Sequence, residues 1–177
     1  MENPLLNFSN QPFGTIPFED IKSDHFIPAV KKCIKYAETT IDKISTSTEP
    51  PTFENTILPF ELSGQRLNTA VTAYYHLFGS ESDQELKGLA EKISPMMAEF
   101  SSNIFLNVAL FNRIKTVYEN KHNVNDEEDL RILDIIYKDF LRNGAGLSGK
   151  KKNELRKVDK KLSTLSPKFS NNVLNAT

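Results

Sequence analysis

The sequence predicts an all-α fold: an antiparallel bundle of about six helices behind an extended N-terminal segment. Three observations predict it. From Ser23 onward apolar residues recur at alternating steps of three and four, which places them on one helical stripe after another. No segment makes a convincing strand, and no tandem repeat of fixed period occurs. Only 7 glycines and no tryptophan are found in 177 residues, which argues against a turn-rich β-sandwich.

Residues 1–22 hold Pro4, Pro12, Gly14 and Pro17 and are expected to be extended. They are expected to pack on the rest through Leu5, Leu6, Phe8, Phe13 and Phe18. Residues 23–177 form the helical domain. The first helix is expected over 24–47, on the stripe Ile27, Val30, Ile34, Ala37, Ile41 and Ile44, with Pro28 tolerated in its first turn. "STSTEPP" stops it. The second is expected over 55–78 (Ile57, Phe60, Gly64, Leu67, Val71, Tyr74, Phe78). Gly64 within that stripe implies close approach of a neighbouring backbone, because a mid-helix glycine otherwise costs about 1 kcal/mol.

The third helix opens on a capping-box pattern, Ser82-Asp83-Gln84-Glu85, and Pro95 is expected to kink it. The fourth runs over 108–120 with Asn107 as N-cap. The fifth starts after Asn125 with acids at 126–129, where the helix dipole favours them, and ends at Gly144. The sixth begins after Ser148 and carries Leu155, Val158, Leu162 and Leu165. Pro167 interrupts it, and the stripe resumes through Phe169, Val173 and Ala176.

Composition excludes several functions. Hydrophobic residues are 38% and charged residues 25%, which suits one globular domain burying roughly 70% of its unfolded surface. A net charge of −1 supplies no field for nucleic acid or for an anionic membrane, so neither is expected as a partner. No stretch reaches the ~20 apolar residues of a membrane span. The opening residues carry an acid, no basic cluster and no apolar run, so no signal peptide is expected and the expected compartment is the cytoplasm.

Residues able to carry chemistry are few and scattered. His25, His76 and His122 have no second histidine at i+4 and no HExxH, so capping, packing or surface roles are expected. Cys33 excludes an internal disulfide and reads as a small buried apolar residue. The serines lie in no GxSxG or SxxK setting, and no glycine-rich phosphate cradle is present. The Glu127–Glu128 pair sits in a helix's first turn, where capping explains it. The basic run "GKKKNELRKVDKK" (Lys150, Lys151, Lys152, Arg156, Lys157, Lys160, Lys161) is either an anion site or a solvated face. The second is expected, because no aromatic platform is interleaved with it and acids of the fifth helix (126–129, Asp134, Asp139) lie across a short loop. No catalytic, cofactor-binding or metal-ligating residue is assigned.

The chain stops on "SPKFSNNVLNAT" with its apolar face still running and no cap. That end reads as an interrupted polypeptide.

Several stretches, taken in order, resemble one family. They are "NPLL" (3–6), "PFEDIKSDHFIPAV" (17–30), "PTFENTI" (51–57), "LSGQRL" (62–67), "LFNRIKTVYE" (110–119), "DFLRNGAGL" (139–147) and "KFSNNVLNAT" (168–177). Together they resemble the N-terminal region of the M3 zinc oligopeptidases, the group of oligopeptidase A and peptidyl-dipeptidase Dcp. The resemblance implies a long, all-helical peptidase whose zinc is held by HExxH and a distant Glu, downstream of this segment. It implies that these N-terminal helices form one wall of a deep channel admitting short peptides. The segment alone is then expected to be inactive and zinc-free, with the catalytic domain as its missing partner. An apolar surface left in water implies self-association, or loss of order after about Pro167. The alternative is a stand-alone helical protein-interaction module.

Overall fold

The computed structural model describes residues 3–7, 11–81 and 84–176. The helices are α1 (Ser23–Thr46), α2 (Leu58–Ser63), α3 (Gln65–Glu81), α4 (Gln84–Phe105), α5 (Val108–Glu119), α6 (Glu127–Arg142) and α7 (Gly149–Ala176). A π-turn, Phe53–Ile57, leads directly into α2. Among the described residues there is no strand. The fold is therefore the all-α bundle that the spacing predicts.

The predicted second helix is broken at Gly64, where α2 ends and α3 begins. A Cβ placed on Gly64 would meet nothing within 4 Å, so no neighbouring backbone approaches it. The expected close contact is absent; the glycine sits at a joint between two helices. The Ser82–Asp83 part of the expected capping box lies outside the described residues, and α4 runs on through Pro95.

α1 is the central rod. It packs against α2, α3, α4 and α5, while α5 packs on α6 and α4 on α7. Its stripe of Val30, Cys33, Ala37, Ile41 and Ile44 is buried. One core cluster joins this stripe to Phe53, Ile57, Leu110, Ile114, Leu133 and Phe140. Phe140 is its hub, with Phe60 and Phe105 meeting it edge-on at 5.6 and 5.1 Å between ring centroids. Edge-to-face pairing of this kind stabilises beyond the area buried. A second cluster gathers Phe26, Ala73, Tyr74, Leu86 and Ile93 around Leu5. The Tyr74 hydroxyl donates to the Leu86 carbonyl at 2.8 Å, and burial pushes its pKa up.

The N-terminal segment is held by this second cluster. Leu5 is buried, and Asn3 Nδ2 donates to the His25 carbonyl at 2.7 Å. Leu6 is partly buried, but Phe13 is fully exposed and Phe18 exposed, so these two do not pack as expected. Phe13 lies in a tight turn at φ 59, which aims it away from the bundle. Phe8 lies outside the described residues.

Helix ends follow the expected chemistry. Asn107 caps α5 by accepting from Leu110 N, and Asp126 caps α6 by accepting from Glu128 N and Asp129 N. α6 closes with Gly144 at φ +93, where Ala145 N donates to Phe140 O and Gly144 N to Leu141 O. This paired arrangement satisfies carbonyls that the helix leaves free.

Candidate functional site

The three histidines lie on separate elements. His25 stands at the start of α1, where its Nδ1 accepts from Lys22 N at 3.1 Å. His76 is exposed on α3, and His122 is exposed in the turn after α5. Cys33 is buried in α1, and burial raises its thiol pKa against the opposing pull of Arg66 and Lys32. Glu127 and Glu128 occupy the first turn of α6 beside its Asp126 cap. The structure brings none of these groups together. Among the described residues no three His, Cys, Asp or Glu side chains converge as metal ligands. This donor set does not fit a zinc centre, which needs several ligands at one point.

The basic run divides. Lys150, Lys151, Lys157, Lys160 and Lys161 are exposed. Lys152 is buried, and its Nζ donates to the Leu106 carbonyl at 3.4 Å. Arg156 Nη1 donates to Asn103 Oδ1 at 2.7 Å, and Ser102 Oγ to Asp159 Oδ2 at 3.2 Å. The expected easing of the run by acids of α6 is not what forms. Asp134 pairs with Lys138 at 2.6 Å and Asp139 with Arg142 at 3.4 Å, both on α6 itself. Partners one turn away on the same helix are held close by its geometry. The run answers to α4 instead, and Lys152 reaches a carbonyl at that helix's C-terminal end, where a cation is favoured.

The face that α7 offers α4 is therefore polar: Lys152, Arg156, Asp159 and Ser163 are buried or partly buried. α4 answers with small side chains, Ala98, Ser101 and Ser102, beside Pro95. The apolar stripe of α7 lies roughly 120° around the helix at 3.6 residues per turn. Val158, Leu162, Leu165 and Phe169 on it are 53%, 54%, 50% and 71% exposed. A helix normally turns such a stripe inward. This one turns it to water.

One buried cation escapes the sequence reading. Arg113 of α5 is buried, and it spans the loop between α1 and α2. Its Nη1 donates to the carbonyls of Ser47 and Glu49 at 3.0 and 2.9 Å, and its Nη2 to Asn55 Oδ1 and Thr56 Oγ1 at 3.2 and 3.3 Å. Asn55 is itself fixed by a reciprocal cap with Thr52. A signal was present: Arg113 sits on the α5 stripe between Leu110 and Val117. A charge on a buried stripe implies partners that satisfy it. Ser47 and Glu49 supply two of them and the "PTFENTI" stretch the other two, so Arg113 anchors α5 to this loop.

A shallow groove runs between α1 and α4, lined by Ile34, Lys35, Glu38, Met96, Phe100 and Asn103.

Comparison with known proteins gives these surfaces a context. Residues 30–152 match the family model of the neurolysin/thimet oligopeptidase N-terminal domain. The chain belongs to this family. Dipeptidyl carboxypeptidase of Salmonella typhimurium is 32% identical over 99% of the chain, and oligopeptidase A of Haemophilus influenzae is 32% identical over 100% of it. A probable cytosolic oligopeptidase A of Arabidopsis thaliana is 27% identical over 99%. The chain spans about a quarter of the length of these relatives: 26%, 25% and 24%. No described helix is long and apolar enough to cross a membrane.

Proposed function

We propose that this chain is the N-terminal helical domain of a longer, cytoplasmic zinc metallopeptidase that hydrolyses short peptides. In this reading residues 1–22 are a packing segment and 23–177 the domain proper. The domain contributes one wall of a channel that admits short peptides and excludes folded proteins. It holds no catalytic, cofactor-binding or metal-ligating residue; zinc and its ligands come from sequence beyond it. The observation that carries the reading is the family match over residues 30–152, inside an all-helical bundle whose relatives are named peptidases.

Dipeptidyl carboxypeptidase and oligopeptidase A match with the same identity. The proposal is therefore the class common to both, hydrolysis of short peptides.

The test is the natural reading frame. Its product is expected to carry HExxH downstream, to retain zinc after dialysis and to cleave a quenched fluorescent peptide of about eight residues, a length suited to a narrow channel. The 177-residue chain is expected to do neither. Stoichiometric zinc on the 177-residue chain, or a long product without peptidase activity, would overturn the reading.

A further inference from the structure

We infer that the apolar face of α7 (Val158, Leu162, Leu165, Phe169) is the seat of the polypeptide that continues past residue 177 in the whole protein. The inference rests on the reading above and names the surface by which the domain joins the remainder.

The face is not a misplaced interior. The seam between α4 and α7 is already complete, with Lys152 on the Leu106 carbonyl, Arg156 on Asn103 and Asp159 accepting from Ser102. Rotating α7 to bury the stripe would break all three contacts and set bulky apolar groups against the small side chains of α4. The exposed stripe must be covered from the other side.

Two observations identify the cover. The match to the family's N-terminal domain model ends at residue 152, so nearly all of α7 lies outside the matched stretch. The relatives nevertheless align over 99–100% of the chain, α7 included, and the chain is about a quarter of their length. α7 is then the helix that leads out of this domain.

The extent of the face also argues for a tethered partner. Val158 to Phe169 spans about 16 Å of a single helix. Four half-exposed side chains fall well short of the ~800 Å² per partner that a stable association of separate chains buries. A segment of the same polypeptide has a high effective concentration and needs far less area.

Cysteine accessibility tests this. Leu162→Cys, Phe169→Cys and, as a control on the flank of α7, Lys157→Cys are made in the 177-residue chain and in the product of the whole reading frame. Labelling by a small thiol reagent is followed by peptide mass spectrometry; native Cys33 is buried and contributes little. In the 177-residue chain all three sites are expected to label fast. In the long product, positions 162 and 169 are expected to slow at least about tenfold while 157 does not, since labelling follows exposure. Equal rates in both proteins would overturn the inference. So would shielding in the 177-residue chain: lost on dilution to nanomolar concentration, it would make a second copy the occupant, and persisting there, it would mean the chain covers the face itself. Peptide cleavage by the long product is scored separately: a shielded but inactive product sinks the peptidase reading and leaves the docking surface standing.

Discussion

Gly144 and Gly64 are both glycines at helix ends, and their surroundings set opposite expectations. At Gly144 the backbone is at φ +93, and an added Cβ would come within 2.6 Å of Leu155 Cδ2. Gly144→Ala is expected to destabilise by roughly 1–3 kcal/mol, read as a lowered urea midpoint. At Gly64 the φ is −85 and the space is open. Gly64→Ala is expected to leave stability unchanged or raise it by up to about 1 kcal/mol, in the same titration. A large loss at Gly64 would mean the joint between α2 and α3 needs glycine for a reason the packing does not show. Arg113 makes a third case at this scale. Its charge is held by two carbonyls and two side-chain oxygens rather than a carboxylate, while its Nε has no hydrogen-bond partner.

At the scale of elements, α6 shows how a charged helix stabilises itself. Its first turn is acidic around the Asp126 cap, and Asp134 accepts from Lys138. That hydrogen bond is the main cause of a lowered Asp134 pKa; desolvation opposes it, and the Lys138 charge, the Tyr118 hydroxyl and the Lys121 charge add to the lowering. A carboxyl with a lowered folded pKa binds protons less well than in the unfolded chain. Its contribution is therefore present above the ordinary aspartate range and lost as pH falls through the lower folded value. Asp134→Asn is expected to lose that contribution at neutral pH and to flatten the acid limb of stability, measured by denaturation from about pH 7 to about pH 2. An acid limb as steep as wild type would remove Asp134 from the account. α7 differs in kind: Lys152, Arg156 and Asp159 make its seam with α4, while Val158, Leu162, Leu165 and Phe169 face out.

For the whole molecule, two aromatic-centred cores and one exposed apolar face predict where mutations act. Phe140 is fully buried among Phe60, Phe105 and Phe111. Phe140→Ala is expected to cost about 3–5 kcal/mol. Leu165 is half exposed, and Leu165→Ala is expected to change the stability of the 177-residue chain by less than about 0.5 kcal/mol. Thermal melts of the two variants check the pair. Comparable losses would mean that the α7 face is already covered within the chain.

Most of the helical layout was legible in the residues. The α1 stripe, the Asn107 cap and the Gly144 stop each rest on interactions within about one turn, and local spacing encodes these directly. The order of short motifs pointed to the family. Other features depended on what lies across the fold. The burial of Lys152 turns on the Leu106 carbonyl, 46 residues away. That of Arg113 turns on acceptors 57–66 residues away. The orientation of α7 belongs with them. Periodicity shows that a helix has an apolar stripe, but only the competing fit of α4's small side chains and polar groups decided which stripe turns inward.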